Sequence, residues 1–301
     1  MLSVIFGLSA AFSFGGSGFF GGMSARHMGS LRTVWVTTTS SVFVLLLGSL
    51  FFVGQWSSNA LLFGALSGVC SAFALVFLYA SLAIGPMSIL SPVGAVVGAL
   101  LPAIWDFFTG EPLSWYAYLA IVLVLVAVVI VGASSEKNAV KPSAQGLILA
   151  VLAGTGFAGY YVFLDMAPND AGLAPIIVNR SVSALLATLA LLGVLVTQQL
   201  RKQRVVTHVG GSDTSSATRG TINWRKGLPI ALAAGVIEAI GSAMVLFGFV
   251  AGNLTVVTVL TSLYPAGTIV LATLILKERL GRLQYVGLTL ALVAAAALAL
   301  A

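Results

Sequence analysis

The chain has 301 residues, of which 59% are hydrophobic and only 7% are Asp, Glu, Lys or Arg. A soluble domain carries roughly 25% charged residues and a disordered chain is poor in apolar ones, so both classes are excluded. An integral membrane protein remains, and apolar runs such as Ala117–Gly132 and Leu283–Ala301 suit spanning helices and are too long for barrel strands.

Ten helices fit in chain order, at about 2–22, 33–53, 60–83, 88–108, 115–134, 145–166, 174–197, 227–251, 254–276 and 283–301. The first lacks the positive lead of a signal peptide and is followed by Arg26 and Arg32, so it reads as a retained span. Cys70, the single cysteine, lies in an apolar run and reads as a small packing residue. Gly85-Pro86, Gly110-Glu111-Pro112 and Ala167-Pro168-Asn169-Asp170 supply turn chemistry between spans. Residues 198–226, with Gly210-Gly211-Ser212-Asp213, read as a flexible polar loop. Pro92 and Pro102 are expected to interrupt span 4, and Pro265 to interrupt span 9, which makes Pro92 and Pro265 candidate hinges. The pairs Gly18/Gly22, Gly64/Gly68, Gly94/Gly98 and Gly248/Gly252 have the spacing of close helix contacts and read as packing.

Charge gives the orientation. Thirteen of the 14 basic residues fall on odd-numbered connections, none falls on an even-numbered one, and Arg180 lies inside span 7. By the positive-inside rule the odd connections are cytoplasmic, which places both termini outside a multi-pass cytoplasmic (inner) membrane protein. The net charge of +6 is thus a topology signal, with no basic folded face for nucleic acid.

The two ends of the chain echo each other. A shift of 167 residues lays Leu61–Ser71 over Leu228–Glu238 and puts Glu111 on Glu278, while a shift of 143 puts Phe14 on Phe157. This divides the chain into five-helix halves, 1–134 and 145–301, joined by a cytoplasmic linker at 135–144. An odd number of spans forces the second half to enter from the opposite side, which makes an inverted-topology repeat.

On this 5+5 repeat, on the turns Gly110-Glu111 and Lys277-Glu278-Arg279-Leu280, and on Gly287 shortly after, the chain resembles the drug/metabolite transporter superfamily, specifically its ten-helix EamA-type members. The resemblance covers nearly the whole chain apart from the 198–226 loop. It implies an all-α membrane fold with a central cavity lined mainly by helices 1, 3, 4, 6, 8 and 9. It also implies a carrier of amino acids, organic acids, nucleotide sugars or drugs. The uncharged termini depart from the basic termini of many relatives.

Glu238 stands out among the ionisable residues. It lies roughly 17 Å into span 8 at 1.5 Å per residue, a depth at which a carboxylate must be paired, protonated or facing water. It reads as a proton or cation site, and its small neighbours Gly235, Gly241 and Ser242 let a backbone or ligand approach. Arg180 reads as snorkelling to the outer interface, with a role as anion partner as the alternative. Asp106 and Asp165 read as boundary residues, and Glu111 and Glu278 as braces of their turns. Tyr79, Tyr160, Tyr161 and Tyr264 need hydroxyl partners if buried, and Ser17, Ser91, Thr258 and Ser262 are small polar groups on the expected cavity helices.

A secondary carrier fits these features. His27 and His208 stand apart from any carboxylate cluster, and neither a paired-His motif nor a nucleotide-binding glycine loop occurs. Neither enzymatic activity nor a metal or other cofactor is therefore expected. One buried basic residue against one deep carboxylate favours amino-acid-like, zwitterionic or cationic solutes over polyanions. The expected partners are such a solute, protons and the lipid bilayer. Export is the expected direction. A multidrug or organic-cation exporter, an uptake carrier of the same fold and a membrane scaffold are the alternatives.

The orientation is testable with cysteines introduced as Ser215→Cys and Ser57→Cys. In intact cells an impermeant thiol reagent should label the second and spare the first. Labelling of the first from outside contradicts the orientation.

Overall fold

A computed structural model describes residues 1–52, 54–85, 87–109, 115–132, 143–208, 223–276 and single positions between 283 and 293. The elements among them are all helical: α1 (Leu2–Met28), α2 (Ser30–Ser49), α3 (Ser58–Ile84), α4 (Met87–Thr109), α5 (Trp115–Gly132), α6 (Ala144–Asp165), a 3₁₀ turn (Asn169–Ala171), α7 (Ala174–His208), α8 (Trp224–Ala251), α9 (Leu254–Thr261) and α10 (Tyr264–Leu276). Seven of the helices, α1–α4 and α6–α8, are long and apolar enough to cross a membrane. The turns at 110–114 and 277–282, residues 133–142 and 209–222, and most of the span expected at 283–301 lie outside the described residues.

The helix starts are written in their caps. Ser57 accepts from the Ala60 amide at 3.1 Å, Ser143 from Gly146 at 3.0 Å, and Asn253 from Thr255 at 2.8 Å, each satisfying an amide that has no intrahelical partner. Between α1 and α2 the chain turns on Gly29 alone, whose φ of 84° is a conformation glycine adopts without strain. The first connection is therefore shorter than the sequence implied, and Arg26 and Arg32 belong to helix ends, with Arg32 donating to the Met28 carbonyl at 3.1 Å.

Two expectations are corrected. The polar stretch read as a loop from residue 198 begins as helix, because α7 continues to His208. Residues 198–208 contain good helix formers, and the first glycine comes at position 210. Span 4 is not interrupted, since α4 runs unbroken through Pro92 and Pro102. Span 9 does break, into α9 and α10, at Ser262–Leu263. Pro265 follows directly and has no amide to give the carbonyl four residues earlier, so the helical ladder ends there.

Close packing of small residues fixes the two helices that matter most. A Cβ on Gly68 of α3 would come within 2.6 Å of the Asn179 carbonyl oxygen, so only glycine lets α7 lie this close. A polar seam fastens the contact: Asn179 donates to Ser67 at 2.9 Å, and Ser183 to the Gly68 carbonyl at 2.7 Å. On α8, Gly235 abuts the Thr37 backbone and its carbonyl accepts from Ser41 at 2.7 Å, while Gly241 meets the Phe14 ring. Arg180, next to Asn179, and Glu238, between the two α8 glycines, are thereby held in place.

Candidate functional site

The centre of the fold holds a buried ion pair. Glu238 and Arg180 are each only 2% exposed, and an Arg180 terminal nitrogen lies 2.9 Å from Glu238 Oε1. Arg180 Nη2 donates to the Ser242 hydroxyl, one turn further along α8. The other carboxylate oxygen of Glu238 accepts from Ser17 at 3.4 Å and from Tyr79 at 3.5 Å. Four helices, α1, α3, α7 and α8, thus converge on one carboxylate–guanidinium unit. The expectation that Arg180 snorkels to the interface is corrected, because its guanidinium turns inward to the deep carboxylate. An arginine this far from water is tolerated where a counter-charge and hydrogen-bond acceptors meet it.

Beside the pair lies a cavity lined by Ser17, Tyr79, Arg180, Glu238, Thr258 and Ser262, with Phe14, Phe157, Tyr161 and Tyr264 among its walls. Thr258 donates to the Leu254 carbonyl at 2.9 Å and Ser262 to the Val259 carbonyl at 2.6 Å, so both hydroxyls are spent on their own helix segments. Ser91 and Tyr160 are not part of the lining. Ser91 contributes its backbone carbonyl, which accepts from the Tyr264 hydroxyl at 3.0 Å. Tyr160 packs behind the pair, with the Arg180 guanidinium carbon 5.8 Å from its ring centre. Asp106, near the end of α4, accepts from Thr255 at 2.6 Å.

Several wall residues carried no sequence signal. Phe14 and Phe157 are apolar residues in an apolar chain, and nothing in their spacing marks the face they present. Gly18, read as a packing glycine, lines the cavity instead, and a Cβ there would meet nothing within 4 Å.

The comparisons with known proteins agree with this architecture. The family model of the EamA-like transporter family matches residues 144–300. Comparison with curated proteins gives no match. A crystal structure described only as that of a protein superposes with a TM-score of 0.68, covering 99% of this chain and 96% of its own at 14% identity. At that identity the likeness speaks for the fold alone.

Removing one partner of a buried ion pair leaves the other charge uncompensated, at a cost of about 3–5 kcal/mol, whereas apolar replacement of both is close to neutral. Denaturation in detergent should therefore show Arg180→Met and Glu238→Leu each strongly destabilised, and the double variant close to the parent. A double variant as unstable as the sum of the two single changes would show that the pair is not a coupled unit.

Proposed function

The chain belongs to the EamA-like transporter family, and from that premise we propose that it is a secondary transporter, an exporter that moves small amino-acid-like solutes, zwitterionic or cationic, across the cytoplasmic membrane by alternating access. The observation that carries the substrate class is the ion pair in the lining of a cavity whose other walls include Phe14, Phe157, Tyr161 and Tyr264. Charged groups inside a membrane face pathways or partners, and a cavity with one carboxylate and one guanidinium can orient a solute bearing an ammonium group.

A 5+5 inverted repeat supplies the motion. Helix packing supports it, because contacts recur in matching pairs: α1 on α8 corresponds to α3 on α6, α2 on α8 to α3 on α7, and α1 on α9 and α10 to α4 on α6. The family match beginning at residue 144 coincides with the start of the second half. Pro92 in α4 and Pro265 at the α9–α10 break are the hinges in this reading, and the Tyr264–Ser91 hydrogen bond ties the two places together. Both termini face outward in this account, and Glu238 takes the proton or the positive end of the solute. The aromatic walls favour a second reading, an exporter of organic cations, since aromatic faces attract cations.

Purified protein in liposomes should exchange labelled amino acids or amines in counterflow, and a pH gradient should drive their uphill movement. Glu238→Gln keeps shape and hydrogen bonding and should abolish the response to the gradient. Unchanged pH dependence in that variant removes the proton role from Glu238, and no exchange of any amino acid, amine or organic acid by the parent removes the carrier reading.

A further inference from the structure

Arg180 has a second, unused edge. Its guanidinium spends one terminal nitrogen on Glu238 and the other on Ser242, but its Nε has no hydrogen-bond partner among the described residues. Among the described residues, the other buried side-chain polar atom in that condition is the Tyr160 hydroxyl, on the residue whose ring packs against the same guanidinium. Both residues are more than nine-tenths buried. A buried donor without a partner costs free energy comparable to a lost hydrogen bond, so two on neighbouring side chains are an expense that packing does not explain.

Nε and one terminal nitrogen of a guanidinium form a flat fork that matches the two oxygens of a carboxylate. We propose that this free edge of Arg180, which lines the cavity, receives the carboxylate of the transported solute. Glu238 receives the ammonium of the same molecule. The proposal rests on the carrier reading above and narrows its substrate class to zwitterions.

Charge balance points the same way. The pair sums to zero, and a solute of zero net charge leaves the buried site neutral, whereas an amine or an acid alone would leave one uncompensated charge in a low-dielectric space. The solute's carboxylate docks on the free edge while its ammonium draws Glu238 away from the terminal nitrogen, so each charged group keeps a counter-charge throughout. Organic cations lack the anionic half of this exchange.

Titration calorimetry on the full chain in detergent tests this with serine, leucine and phenylalanine, each set beside its decarboxylated amine and its deaminated acid. At least one amino acid should bind, with its amine and its acid each weaker by about tenfold or more, the scale of one charge-assisted hydrogen-bonded contact. Arg180→Lys, which keeps the charge and has no Nε edge, should weaken the amino acid severalfold and leave the amine unchanged. An amine that binds as tightly as its amino acid overturns the subsite and leaves the carrier reading standing. An Arg180→Lys variant with unchanged amino-acid affinity overturns the role of the Nε edge. Absence of amino-acid binding, together with counterflow of amines by the same preparation, also overturns the proposal while sparing the carrier.

Discussion

A carboxylate and a guanidinium cannot both be taken out of water unless they meet. That constraint organises the middle of this protein. Glu238 lies at the centre of α8, Arg180 two turns into α7, and the 2.9 Å contact between them holds only if the helices are fixed to within a fraction of an ångström. The glycines that permit close approach are placed accordingly. Gly68 lets α7 down onto α3 beside Arg180, and Gly235 and Gly241 seat α8 against α2 and α1 on either side of Glu238. Ser17 and Tyr79 bring α1 and α3 to the same carboxylate, so helices from both ends of the chain share one electrostatic centre.

Such a pair is weak grounds for stability and good grounds for function. Apolar side chains of similar size would fill the same volume at no cost in desolvation. What they could not do is present a carboxylate and a guanidinium edge to a cavity otherwise walled by Phe14, Phe157, Tyr161 and Tyr264. The proline positions add the means of movement. Pro265 stands in the first turn of α10, just past the break that ends α9, and Pro92 removes an amide from α4 without ending it. A site that must open and close tolerates such lost backbone bonds where a packed core would not.

The sequence announced some of this and was silent on the rest, for physical reasons. Glu238 was legible because an intramembrane carboxylate is expensive wherever it sits. Ser17 and Tyr79 were legible as polar groups on cavity helices, and both reach Glu238. Arg180 was misread because sequence gives depth along its own helix and says nothing of which neighbour stands within reach. Thr258 and Ser262 fell on the right wall, but their hydroxyls turn back to their own backbone. Gly18 shows the limit of spacing arguments: its pattern matches a helix contact, and only the arrangement of neighbouring helices reveals open space in front of it. Among the described residues most helix ends were read to within a few residues, but α1 runs on to Met28 and α7 to His208, past their apolar segments and through residues that favour helix.

The central claim is that a solute engages Arg180 and Glu238 together. A structure determined with a counterflow-competent solute bound tests it most directly. The account predicts solute density in the cavity in contact with both side chains, with the direct contact between them lengthened beyond hydrogen-bonding distance. Density elsewhere, with the Arg180–Glu238 pair still closed at its present 2.9 Å, would contradict it.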